Sequence, residues 1–225
     1  MAEPAPISRL TTSERVAAEV RRRIWTGELA SGSRLNQDEL ADQLGVSRIP
    51  VREALIALAH EGAIRMAPHR GAFVEVLDED AVRDHYDLFA LVDGFALART
   101  VERATPEQRA DLAEWMRAIA AVDDLDDLFR VVNAARARVH ELGGSPRFIA
   151  VADGLRGLVP GNFFVEVDGA AAVARASFPV LAESLAMGDA AAAITAYEDM
   201  LRAHGALVVD RLRSNGVLAE PGAVV

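Results

Sequence analysis

The sequence predicts a mainly α-helical protein in two parts: a small N-terminal unit of three helices and a β-hairpin, then an antiparallel bundle of about six helices. Three observations carry this. Of 225 residues, 43 are alanine and only 5% are aromatic, a composition that favours helix over sheet. β-capable runs are confined to one short stretch near residue 70, on either side of a Pro-His-Arg-Gly turn. From Ala81 onwards, helix starts and stops recur and no strand pattern interrupts them. With 51% hydrophobic and 26% charged residues, the chain can bury a sizeable core.

Each element has a local cause. Thr11-Thr12-Ser13-Glu14 offers a capping box, Val16, Val20 and Ile24 recur every four residues, and Gly27 can take the left-handed stop. Asn36-Gln37-Asp38-Glu39 starts a second helix, with Leu40 and Leu44 as its stripe and Gly45 as its end. Two residues on, Ser47 can cap a third helix in which Pro50 falls within the first turn and removes no internal hydrogen bond. Helix, tight turn, helix is helix-turn-helix spacing. Ala63–Ala67 and Ala72–Val76 then flank Pro68-His69-Arg70-Gly71 as a two-stranded wing.

The predicted division is a winged helix-turn-helix over 1–76, a linker at 77–80, a helical domain over 81–218 and a tail at 219–225. In the bundle, one helix runs to about Arg103 with Tyr86, Phe89, Val92 and Phe95 on its apolar side. Thr105-Pro106 starts another, carrying Leu112, Trp115 and Ile119. The acidic run Asp123–Asp127 opens a third and Ser145-Pro146 a fourth, broken near Pro160-Gly161. Ser177-Phe178-Pro179 breaks or restarts the next stretch, and Gly188-Asp189 precedes the last helix.

Composition excludes several chemistries. With no cysteine and no lysine, thiolate metal sites, disulfides and Schiff-base catalysis are out. No apolar run approaches a membrane span and no signal peptide stands at the N-terminus, so a cytoplasmic protein is expected. The net charge of −10 is uneven: residues 1–76 hold ten arginines and ten acids, residues 77–225 fourteen and twenty-four. The balanced N-terminal part can therefore meet nucleic acid while the acidic remainder faces away.

Arg48 and Arg52 lie four apart on one face of the third helix, opposite Val51, Leu55 and Leu58. Two guanidinium groups at a helix start suit the major groove, where arginine grips guanine or phosphate. Ser47 and the first-turn amides would meet the backbone, and His69 and Arg70, turned by Gly71, would reach the minor groove. Arg21-Arg22-Arg23 reads more simply as a solvated face.

The run Leu44-Gly45-Val46-Ser47-Arg48-Ile49-Pro50-Val51-Arg52-Glu53-Ala54-Leu55, followed by Arg70-Gly71-Ala72-Phe73-Val74, resembles the winged helix-turn-helix of GntR-family transcription regulators. Ile49 stands where that pattern usually has Thr, and Asp38 where relatives often carry Arg, which implies a different operator preference. The remainder, with Ala182–Asp189 and the alanine-rich helix after it, resembles the FadR-type ligand-sensing domain called FCD. The resemblance implies a homodimer on a palindromic double-stranded DNA operator, controlled by a small acidic metabolite and acting as a repressor.

Many members of that subfamily hold a divalent metal on one Asp and three His. Those places fall here on Val132, Arg136, Phe178 and Met200, none of which can replace the ligands, so neither metal nor other cofactor is expected. One turn further on stand only His140 and His204. Arg136 can instead take an effector's carboxylate, with Val132, Phe178 and Met200 as apolar wall and His140 and His204 as polar contacts. The alternative is that Arg136 pairs with a neighbouring acid and the pocket has filled. Two further functional readings stay open: a DNA-binding regulator with a dead or partner-controlled bundle, and an enzyme with an accessory winged domain. No phosphate loop, HExxH or nucleophile–base pair favours the enzyme.

Overall fold

The structure, a computed structural model, describes residues 10–155 and 158–219. Thr11 and Glu14 close the expected capping box and start α1 (Thr12–Trp25). Asn36 caps α2 (Gln37–Leu44), and Gly45, in the left-handed region at φ +63°, ends it and turns the chain into α3 (Arg48–His60). Three strands follow the order β1-β3-β2, all antiparallel: β1 (Arg34–Leu35), β2 (Ile64–Ala67) and β3 (Gly71–Val74). The predicted two-stranded wing thus gains a third strand, whose two residues are too few to show any alternation. Val20, Val51, Leu55, Leu58 and Ile64 form the centre of this unit's core.

The second part contains α4 (Glu79–Arg103), α5 (Pro106–Ala118) with a 3-10 turn at Ile119–Ala121, α6 (Leu125–Gly143), α7 (Pro146–Gly154), α8 (Phe163–Glu166), α9 (Ala170–Met187) and α10 (Ala190–Ser214). These are seven α-helices among the described residues, against the six expected. Asp78 caps α4, so helix begins inside the predicted linker. The proposed tail lies, beyond Ala219, outside the described residues.

Several expectations need correction. The break at Ser177-Phe178-Pro179 does not occur: α9 runs through Pro179. Ala174, Phe178, Leu181 and Leu185 are buried in the core, and that packing offsets a proline cost of about 3 kcal/mol. By length and composition alone this helix is just apolar enough to cross a membrane. It packs instead against α5 and α10. On α4 the buried face is Val82, Tyr86, Ala90, Asp93, Leu97 and Thr100, while Phe95 is 49% exposed. On α5, Met116 is buried and Trp115 faces outward. Both helices carry apolar residues on more than one face, so spacing alone could not choose.

The two parts are joined by more than the chain. Trp25, at the end of α1, is 2% exposed and belongs to the bundle's core. Asn215 donates from Nδ2 to the Trp25 carbonyl at 2.7 Å. The Ala219 amide donates to the Leu77 carbonyl, in the connection before α4, at 2.9 Å. Gly27 sits so close to the Asn215 carbonyl that a Cβ there would approach to 2.8 Å. The end of α10 therefore clasps the end of α1.

Candidate functional site

The start of α3 presents its polar groups outward. Ser47 is the N-cap residue with extended backbone, but its hydroxyl makes no cap bond, contrary to expectation. That hydroxyl and the free amides of the first turn stay available to an anion. Arg48 and Arg52 are both exposed, Pro50 is the half-buried third residue of the helix, and Val51, Leu55 and Leu58 fill the core side. Arg48 Nε lies 2.7 Å from Asp38 Oδ1 on α2, in an ion pair open to solvent. Ile49, 70% exposed, offers an apolar contact of the kind that meets a thymine methyl.

At the wing tip the Arg70 amide donates to the Ala67 carbonyl at 3.0 Å. His69 and Gly71 adopt positive φ, +62° and +98°, and this turns the exposed His69 and Arg70 outward. Sequence reasoning missed Arg34: its guanidinium lies within 3.4 Å of the place a Gly71 Cβ would occupy, so it sits beside the wing turn. Only the pairing of β1 with β3 brings it there. The Arg21-Arg22-Arg23 run of α1 is engaged internally, Arg21 with Glu61, Arg22 with Glu19 and Glu28, and Arg23 with Glu19 and Gln43.

A cavity of about 540 Å³ opens within the bundle. Val132, Arg136, Phe178, Met200 and His204 all line it, as does Phe89; His140 stands behind the wall. Arg136 does not stand as a free cation. Its Nε donates to Asp93 Oδ2 at 2.7 Å and its Nη2 to Asp93 Oδ1 at 3.2 Å and to the Ala152 carbonyl at 3.3 Å. Its guanidinium lies 4.4 Å from the centre of the Phe89 ring. Asp93 also meets His140 Nε2 at 2.7 Å and accepts from the Tyr197 hydroxyl at 2.6 Å. The alternative that Arg136 pairs with an acid is therefore realised, yet the pocket has not filled.

The electrostatics follow from burial. Burial alone would raise the Asp93 carboxyl, but hydrogen bonds from His140 and Arg136, with the guanidinium charge, hold it below the usual carboxylate range. Burial, then the Asp93 charge, pushes the Tyr197 hydroxyl up. Burial drives His204 down to about 4, so the ring is neutral and donates from Nε2 to the Ala170 carbonyl at 3.1 Å. A divalent cation does not fit. The Asp93 oxygens are taken, a guanidinium stands beside them, and the described residues hold no group of three or more His, Cys, Asp or Glu placed for a metal.

Asp93 and Tyr197 escaped the sequence reading. The signal was present for Asp93, a carboxylate three residues after Ala90 and four before Leu97, in an otherwise apolar stripe. The cavity is also lined by Arg21 and Glu61 of the winged unit, joined by two hydrogen bonds of 2.8 Å.

A three-helix unit with outward arginines at the start of its last helix, a wing, and a helical domain with a cavity make a winged helix-turn-helix protein with a second, helical domain. Residues 12–74 match the family described as bacterial regulatory proteins, gntR family. A helix-turn-helix-type regulator of Mycobacterium tuberculosis is 33% identical over 68% of this chain and 62% of its own length. The gluconate operon transcriptional repressor of Bacillus licheniformis is 36% identical over 54% of this chain and 51% of its own. A helix-turn-helix-type regulator of Agrobacterium vitis is 30% identical over 54% of this chain and 72% of its own. The chain belongs to the gntR family. It spans about half to three fifths of the length of the first two of these relatives. The solved structure of Escherichia coli McbR/YncC shares the fold, with TM-score 0.60 and 21% identity over 90% of this chain and 99% of that one. Fold and relatives are those of regulators, not enzymes.

Proposed function

We propose that the protein is a cytoplasmic, homodimeric repressor of the FadR-type subgroup, its helical part being an FCD effector domain over about residues 81–218. It binds a palindromic operator, and a small metabolite taken into the bundle cavity sets its affinity. In this reading Arg48 and Arg52 meet base edges, Ser47 and the first-turn amides meet phosphate, and Pro50 presets the turn that holds them. His69, Arg70 and Arg34 approach the minor groove at the wing. Repression is supported by the likeness to the gluconate operon repressor.

The observation that carries the effector reading is the wall of the cavity, which both units supply: Arg21 and Glu61 from one, Arg136 and its neighbours from the other. A ligand there touches the junction that fixes the winged unit, and so the spacing of two recognition helices that must match half-sites one DNA turn apart. An acidic effector would have to exchange with Asp93 for Arg136.

The dimer reading is supported by α4. Leu88, Leu91 and Phe95 are large, exposed and follow a three–four spacing. Asp84 lies near one end of this stripe, and Arg99, stacked on Phe95 at 5.2 Å, near the other. Two copies of α4 crossing antiparallel at Leu91 would bring Asp84 against Arg99 of the partner. Leu91→Asp should shift the protein to monomer in sedimentation; an unchanged dimer places the seam elsewhere.

The test of the regulator reading is selection of genomic DNA fragments by the purified protein at about 0.15 M salt, where non-specific phosphate binding is suppressed. Enrichment of a palindrome is expected. Recovery of random fragments alone would count against a sequence-specific operator.

A further inference from the structure

We infer that the molecule taken into the bundle cavity is an uncharged, ring-bearing compound rather than a carboxylate. This deepens the reading of the cavity as an effector site and rests on it. The two cations among the described lining residues are each matched by a carboxylate of the protein. Asp93 takes Nε and Nη2 of Arg136, and Glu61 takes Nε and Nη2 of Arg21. The face of Arg136 is covered by Phe89 as well.

For an incoming carboxylate to displace Asp93, it would have to strand a carboxyl only 3% exposed. An unpaired buried charge is far costlier than the exchange returns. The histidines offer no substitute. His204 spends its ring proton on the Ala170 carbonyl, and burial holds both it and His85 toward the neutral form. A cationic ligand meets the mirror obstacle: of the lining carboxylates, Asp93 and Glu61 are engaged, and the charge of Asp153 already acts on the Arg136 guanidinium.

What the cavity does offer is ring and thioether surface: Phe89, Phe129, Phe163, Phe178, Met116 and Met200. Asn133 donates from Nδ2 to the Phe129 carbonyl at 2.8 Å, which leaves its Oδ1 to accept from a hydroxyl or amide of the ligand. The volume suits a molecule of two or three rings.

Two dyes with one skeleton separate charge from shape. N-phenyl-1-naphthylamine is neutral, and 8-anilinonaphthalene-1-sulfonate adds one sulfonate to the same rings. Fluorescence titration of the full-length protein should give saturable binding of the neutral dye at least tenfold tighter than the sulfonate. Val132→Trp or Met200→Trp, each filling the cavity from a different helix, should abolish binding while circular dichroism stays helical. Asp93→Asn leaves the Arg136 charge uncompensated and should tighten the sulfonate selectively. A sulfonate bound more tightly by the wild type, and blocked by the filling variants, would overturn the uncharged class while leaving the cavity reading intact. No saturable binding of either dye, or binding untouched by both folded filling variants, would overturn the cavity reading itself.

Discussion

Arg48 and Arg136 each bring Nε to 2.7 Å from an aspartate oxygen, in opposite surroundings: the first contact is an ion pair, the second a two-point hydrogen-bonded pair. On the winged unit the Arg48 and Asp38 side chains are 74% and 55% exposed. In the bundle the Arg136 and Asp93 side chains are 10% and 3% exposed. Water screens the first pair, so it is worth about 0–1 kcal/mol and a phosphate or a guanine edge can replace its carboxylate readily. The second pair has left water, and His140 and Tyr197 complete its hydrogen bonds. Such a pair adds little net stability over an apolar replacement, yet breaking it by removing one partner is expensive. One pairing of residue types thus serves as an exchangeable contact at the surface and as a fixed strut in the core.

Four perturbations sharpen this contrast. The largest effect is expected from Arg136→Ala, which strands the buried Asp93 and should cost about 3–5 kcal/mol in denaturant unfolding; a loss below 1 kcal/mol would mean the pair is not locked. Next comes acid. The pKa of His204 falls from 6.5 unfolded to about 4 folded, so its contribution is complete above pH 6.5 and is lost as pH drops towards 4. That is at most about 3 kcal/mol. His85 shifts in the same direction, while Asp93, held below 3.8, acts only at lower pH. His204→Gln should flatten the stability profile between pH 6.5 and 4, and an unchanged slope would assign it to other groups.

Smaller changes belong to the surface pair. Arg48→Ala should weaken specific DNA binding by about 1–3 kcal/mol and relax preference at one base pair, read by competition with shuffled DNA. Asp38→Asn should release Arg48 and raise DNA affinity by at most about fivefold, with unfolding changed by less than about 1 kcal/mol. A variant that binds DNA more weakly would show that Asp38 positions Arg48 rather than competing for it.

The surface was more legible in the sequence than the cavity. Capping at Thr11 and Glu14, the stop at Gly45 and the four-residue spacing of Arg48 and Arg52 are local, and local chemistry shows in a linear string. Arg34 was not legible, because only the pairing of β1 with β3 carries it to the wing. In the bundle, five of the six residues expected at the pocket line it. The partner of Arg136 was missed because Asp93 lies 43 residues away on another helix. Helix spacing also misled wherever both faces are apolar, as at Phe95 and Trp115. Pro179 shows packing overriding a strong local signal.

The contrast between the two pairs is tested most directly by measuring operator affinity and unfolding free energy in parallel for Arg48→Ala and Arg136→Ala. The account predicts a crossed result: Arg48→Ala loses DNA and keeps its stability, while Arg136→Ala loses stability and, while folded, keeps its operator. Loss of stability in Arg48→Ala with DNA binding intact, or loss of DNA binding in a stable Arg136→Ala, would contradict it.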